Sequence, residues 1–221
     1  MLLANETLFI LQALCIGLAV LIAVRFKKEG LIAYIALAGV LANLFVSKQI
    51  DLFGLTVTAS DTYMIGASLS LNALQEFYGR TATRLAIWIA FFCQILFVIM
   101  SLIHCAYIPS PADSSQAHYC AILHNLGRIV AASLFAYNAA EWTNYAIFIL
   151  LKKALADRWF TFRSFIATAS AQLLDTVLFG FLGLHGLVAS LTDIIFMSLA
   201  IKLGIMIVTL PCMMLIKKIK Q

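Results

Sequence analysis

Three acidic residues of this 221-residue chain, Asp61, Glu141 and Asp175, fall inside long apolar stretches, and Lys202 lies in another. An ionisable side chain in such a setting costs about 2.5–3.5 kcal/mol to insert into a bilayer. It therefore faces a polar interior, a partner or water. Around these residues the polar side chains recur at helical spacing. Tyr137, Asn138, Glu141, Asn144 and Tyr145 form one stripe at i, i+1, i+4, i+7 and i+8, with Trp142 adjoining it. Ser164, Thr168, Gln172 and Asp175 form a second, and Asp61, Ser68, Asn72, Gln75 and Glu76 a third. The spacing predicts three helices, each turning one wet face toward a common centre.

The chemistry such a centre offers is recognition. A carboxylate accepts two parallel N–H donors, Asn and Gln amides orient a carbonyl or amine edge, and Tyr or Trp rings cover a flat face. The Ser and Thr residues also serve as hydrogen-bonding glue between helices. Lys202 requires a counter-ion, for which Asp175 is the candidate; a structural pair and a coupling pair both stay open. There is no phosphate-cradling glycine loop, no HExxH, no Gly-x-Ser-x-Gly and no kinase set. Without a nucleophile and its base, a transport site is the more economical reading than an enzyme's. His104, His118 and His124 flank or occupy a loop without helical i, i+4 pairing, so they read as solvated rather than metal-binding, and no metal or cofactor is expected.

The elements that must hold these stripes follow from composition. The chain is 63% hydrophobic and 11% charged, with a mean hydropathy of +1.01. Soluble domains carry roughly 45–50% apolar and about 25% charged residues, so a soluble domain is excluded, as is disorder. Segments near 7–24, 31–47, 54–75, 85–108, 128–151, 164–184 and 188–216 are long enough to cross a bilayer. The expected fold is an all-α polytopic membrane protein of seven transmembrane helices in one domain. Twelve of the fifteen basic residues lie beyond odd-numbered spans: Arg25, Lys27 and Lys28; Arg80 and Arg84; Lys152, Lys153, Arg158 and Arg163; Lys217, Lys218 and Lys220. Only Lys48 and Arg128 lie on the opposite side. This bias puts the N-terminus outside and the C-terminus in the cytoplasm. It also accounts for the net charge of +5 without a nucleic-acid partner. The five cysteines form no CxxC pair; Cys105 and Cys120 flank the outside loop, and a bridge between them is left open.

The order and spacing of several short motifs are more specific. They are Asn43-Leu44, Lys48, Asp51-Leu52-Phe53-Gly54-Leu55-Thr56, Glu76-x-Tyr78-Gly79, Ile87-Trp88, Pro109-Ser110-Pro111, Arg128-Ile129, Ala136-Tyr137, Gln172-Leu173-Leu174-Asp175-Thr176 and Lys202. From about Glu29 to Pro211 the chain resembles the queuosine precursor transporter family, also called the vitamin uptake transporter family. The resemblance implies a six-helix core over 29–216 preceded by an additional helix over 1–28. It also implies import of 7-deazaguanine bases, such as queuine or its 7-cyano and 7-aminomethyl precursors, through a bacterial inner membrane for salvage into tRNA modification. Two positions depart from the pattern: Asn72 stands where an Asp is usual, and Glu141-x-x-Asn144 replaces a Gln-x-x-Asp pair. On this footing Asn72, Glu76, Tyr137, Glu141, Trp142, Asn144, Gln172 and Asp175 are the expected substrate contacts. Asp175 and Lys202 are the expected ion pair. Partners are a nucleobase-like small molecule and the bilayer, with self-association open. Another nucleobase or a vitamin is the alternative cargo. A retinal-type seven-helix protein is the rival class, although Ser198 stands where such a protein places Asp.

Overall fold

The computed structural model describes residues 2–45, 48–52, 55–58, 60–123, 127–155, 159–185, 191–192, 195–196 and 198–207. Helix α1 (Leu2–Arg25) and helix α2 (Lys27–Phe45) form an antiparallel pair joined at Phe26. The 24 residues of α1 span about 36 Å at 1.5 Å per residue, more than the hydrocarbon thickness. A β-hairpin follows, strand β1 (Gln49–Leu52) pairing antiparallel with strand β2 (Leu55–Thr58). The expectation of a span beginning at 54 is thereby corrected. Thr56-Val57-Thr58 is β-branched throughout, which favours a strand over a helical first turn, and the helix starts only at Asp61. Asn5 Nδ2 donates to the Asp51 carbonyl at 3.1 Å, tying the hairpin to the start of α1.

Helix α3 (Asp61–Ala106) runs 46 residues and covers both the third and fourth expected spans. It is broken at Gly79 (φ 77°, ψ −171°), a conformation essentially reserved for glycine. Residues 61–78 are nearly all buried, whereas residues 80–106 expose Leu85, Trp88, Phe92, Ile99 and Ile103. The break thus separates an interior half from a half whose apolar side chains point outward. A short helix α4 (Gln116–Leu123) rests on the end of α3, where Gln116 Nε2 donates to the carbonyls of Cys105 (3.0 Å) and Tyr107 (3.3 Å). Cys105 and Cys120 are free thiols there, with Cys120 Sγ 3.8 Å from the Cys105 carbonyl.

Helix α5 (Gly127–Ala154) and helix α6 (Phe160–Phe179) pack together and against α3. A π-turn, Gly180–Leu184, extends α6. A last helical segment, α7 (Ser198–Ile207), stands where the seventh span was expected, and the remainder of 188–216, including Cys212, lies outside the described residues, as do His124 and Arg158. Among the described residues, four helices are long and apolar enough to cross a membrane: Asn5–Arg25, Lys27–Phe45, Asp61–Ala106 and Phe160–Gly183. Large apolar side chains on α1 and α3, among them Leu8, Leu18 and Ile22, are exposed while Asn, Gln, Asp and Glu are buried. That inversion of the soluble pattern fits a protein whose solvent is lipid.

Other buried polar residues fasten helices to one another. Asn43 Nδ2 donates to Gln94 Oε1 at 3.2 Å and Ser133 Oγ donates to Asn43 Oδ1 at 2.9 Å, which fastens α2, α3 and α5 together.

Candidate functional site

The three polar stripes do converge. Ser68 Oγ on α3 donates to Glu141 Oε1 on α5 at 2.6 Å, and Gln172 Nε2 on α6 lies 3.5 Å from the same hydroxyl oxygen. Asn144 Nδ2 donates to the Ser68 carbonyl at 3.3 Å. Asn72 Nδ2 spans to α6, reaching Ser164 Oγ at 2.8 Å, the Ser164 carbonyl at 3.3 Å and Thr168 Oγ1 at 2.9 Å. Because carbonyls only accept, these bonds fix both amides with their NH2 groups turned toward the protein and their oxygens free. The result is one-sided. Glu141 Oε2, Asn72 Oδ1, Asn144 Oδ1 and Gln172 Oε1 are all buried and lack a hydrogen-bond partner among the described residues. Each is an acceptor, and a buried acceptor left unpaired costs about 1–3 kcal/mol. Four such groups from three helices make a site that calls for N–H donors. The Tyr137 ring is buried one turn before Glu141 on α5, so it shares that face.

An ion cluster lies toward each end of this centre. At one end, Lys202 Nζ on α7 sits 2.7 Å from Asp175 Oδ2 and 3.7 Å from Asp61 Oδ1, and donates to Thr176 Oγ1 at 3.0 Å. The expected Asp175–Lys202 pair is therefore present, with Asp61 as a third member. Gly180 permits the approach of the last segment, since a Cβ there would stand 3.0 Å from Ile195. At the other end, Arg163 Nη2 binds both oxygens of Glu76 at 3.0 and 3.2 Å, and Lys152 Nζ lies 3.2 Å from Glu76 Oε2. The Arg163 side chain is fully buried, its guanidinium 5.2 Å from the centre of the Phe148 ring. Asp61 and Glu76 are fifteen positions apart on α3, so the two ion clusters are separated by about 22 Å along the helix.

Two expected contacts go elsewhere. Glu76 has both oxygens engaged by Arg163 and Lys152, because an opposite charge on the adjoining helix is the strongest available partner for a half-buried carboxylate. Trp142 packs edge-on between Trp88 and Tyr145, at centroid distances of 6.1 and 5.8 Å, so it joins an aromatic row facing the outer half of α3. Arg80 Nε donates to the Tyr145 hydroxyl at 3.3 Å. Asn72, Tyr137, Glu141, Asn144 and Gln172 stay at or beside the centre, and Asp175 joins the lysine.

The sequence matches the family described as "Putative vitamin uptake transporter" over residues 58–216. It is also 30% identical over 215 residues to the "Probable queuosine precursor transporter" of Bacillus subtilis (strain 168), covering 94% of this chain and 92% of that protein. The chain belongs to the vitamin uptake transporter family. This makes it a transporter rather than an enzyme, with a small molecule as its cargo and a membrane as its setting. No solved structure matches it.

Within this transporter, Arg163 by its place in the sequence is a loop cation fixing orientation and not a site residue. The structure corrects that: Arg163 lies in the first turn of α6, buried against Glu76. A signal was present, since the stripes on α3 and α6 end in opposite charges, Glu76 and Arg163. Asp61 was seen as a buried carboxylate, but nothing in its spacing pointed to Lys202.

Proposed function

We propose that this transporter imports a queuosine precursor, a flat 7-deazaguanine base, across the inner membrane of a bacterium for salvage into tRNA. The observation that carries the reading is the set of unpaired buried acceptors at Glu141, Asn72, Asn144 and Gln172. A 7-deazaguanine presents a ring amide N–H and an exocyclic amine side by side, with a pyrrole N–H on the opposite edge. Glu141 Oε2 takes the paired donors together with Glu141 Oε1 if Ser68 yields, and the amide oxygens of Asn72, Asn144 and Gln172 take the rest. The Tyr137 ring covers one face. The 30% identity to a protein named for queuosine precursors supports the same cargo.

The chain acts as a single transport domain, with the helix over 1–28 preceding a core over 29–216. Seven crossings, N-terminus outside and C-terminus cytoplasmic, account best for the lopsided basic residues. Glu76, with Arg163 and Lys152, closes the cytoplasmic end of the path and meets the cargo only when that cluster opens.

Uptake of labelled queuine by a salvage-dependent bacterial host carrying this chain tests the reading. Uptake should be outcompeted by queuine and by its 7-cyano or 7-aminomethyl precursor, and Glu141→Ala should abolish it. Competition by an unrelated vitamin alone, or wild-type uptake by Glu141→Ala, would overturn the assignment.

A further inference from the structure

We infer that the outer half of α3, just beyond the Gly79 break, is a binding site for an anionic phospholipid. The phosphate sits at Arg80 and Arg84, and an acyl chain runs along Trp88 and Phe92. The inference concerns the bilayer rather than the cargo, so it stands apart from the uptake reading above.

Arg80, Arg84, Trp88, Phe92 and Ile95 recur at i, i+4, i+8, i+12 and i+15, which puts them on one face of the helix. All five are exposed. The face is graded along its length, two guanidiniums first, then an indole, then plain hydrocarbon. Trp88 lies about 12 Å beyond Arg80 along the helix and Phe92 about 18 Å. A phospholipid has the same order: a charged headgroup, the interfacial layer that Trp favours, then the chain. The depth of Arg80 follows from its neighbours. Helix α5 ends in Lys152 and Lys153, and Lys152 reaches Glu76, one turn before Arg80. Arg80 therefore lies where the helices leave the hydrocarbon.

The two arginines are held rather than loose. Arg80 Nε donates to the Tyr145 hydroxyl at 3.3 Å, and the Arg84 guanidinium carbon stands 5.8 Å from the centre of the same ring. Helical side chains lean toward the N-terminus, so Arg84 reaches back toward Arg80, and Tyr145, buried on α5, gathers both. The bond to Tyr145 uses Nε, while the Nη groups carry the paired donors whose geometry suits a phosphate. Deeper along the face, the Trp88 ring meets Phe91 at 6.0 Å and Trp142 of α5 at 6.1 Å. Trp142 in turn abuts Tyr145 at 5.8 Å, so a wall of rings joins the phosphate position to the chain position. A free phosphate ion would use the arginines alone. The exposed apolar continuation through Phe92, Ile95 and Ile99 is what favours a lipid.

The test uses the full chain in phosphatidylcholine liposomes, carrying Trp159→Phe so that Trp88 and Trp142 are the indoles that emit. Lipids brominated on the acyl chain quench an indole that they touch. Brominated phosphatidylglycerol should half-quench this emission at a mole fraction about tenfold lower than brominated phosphatidylcholine needs. Arg80→Gln combined with Arg84→Gln should erase that difference. Arg80→Lys combined with Arg84→Lys should keep part of it, since an ammonium attracts phosphate without the fork. Inorganic phosphate should leave the quenching unchanged. Equal quenching by the two lipids with both arginines in place would overturn the inference, and this comparison needs no change at the site. Undiminished preference in the paired Gln variant would overturn it as well. Reversal of the quenching by inorganic phosphate at matched ionic strength would assign the arginines to a free anion and not to a lipid.

Discussion

Two polar clusters built on the same three helices are finished to different standards. At the Glu76 end, α3, α5 and α6 contribute one carboxylate and two cations, and both carboxylate oxygens are paired. Two helical turns away, Ser68, Asn72, Glu141, Asn144 and Gln172 come from the same helices and leave four acceptors without partners among the described residues. The centre is the more deeply buried of the two, while Lys152 at the Glu76 end is partly exposed, so the unpaired acceptors lie where leaving them unpaired costs most. A carboxylate with both oxygens engaged by cations holds helices together, whereas a group of open acceptors keeps capacity for something that arrives. The contrast separates residues whose loss should unfold the protein from residues whose loss should only disable it.

The largest effect expected is on transport. Glu141→Gln keeps the shape of the side chain but replaces one acceptor oxygen with a donor NH2. Labelled-base uptake should fall by a factor of ten or more while the melting temperature in detergent stays within a few degrees. A large thermal loss with uptake per folded molecule intact would erase the contrast. Arg163→Ala is the mirror experiment. Removing one partner of a buried pair weakens the compensation of the other charge, typically at a cost of about 3–5 kcal/mol, and among the described residues Glu76 then keeps the partly exposed Lys152. Thermal unfolding should register that loss, and Arg163→Lys should recover part of it.

Gly79 is the next step down. Nothing lies within 4 Å of a Cβ placed there, so Gly79→Ala meets no clash. It does force a side chain onto φ 77°, ψ −171°, a strain of about 1–3 kcal/mol. Stability should fall by that amount; no loss would mean that the break in α3 has shifted to a neighbouring residue.

The smallest effect lies in the loop between α3 and α4, away from both clusters. The Ser115 hydroxyl and backbone N–H donate to Asp113 (2.6 and 2.7 Å) and hold its carboxyl below the usual carboxylate value. Since the folded value is the lower one, the stabilisation is present above the unfolded value and is lost as pH falls through the folded one. Ser115→Ala should move the Asp113 titration upward when followed by NMR, with uptake at neutral pH unchanged.

Much of this was legible in the chain itself, and the parts that were not share a cause. The wet stripes could be read because helical periodicity is a local property: residues 164, 168, 172 and 175 share a face wherever the helix goes. The family motifs pointed to a transporter for the same reason, being short and ordered along the chain. The hairpin at 49–58 was harder, because an apolar run of that length satisfies a strand and a helix alike and only packing against α1 settles it. Trp142 is instructive too. Its position beside the stripe follows from helical spacing, yet which neighbour its ring chooses depends on where Trp88 comes to rest.

The amino-acid sequence alone determined that this is a membrane protein with polar helix faces, because insertion energetics and helical period are set residue by residue. Only the tertiary structure decided the partners: Arg163 for Glu76 across 87 positions, Ser68 for Glu141 across 73, Lys202 for Asp175 across 27. Opposite charges and complementary hydrogen-bonding groups admit many pairings along a chain. Which of them form is fixed by how the helices pack, and that packing is what left the acceptors at the centre unfilled.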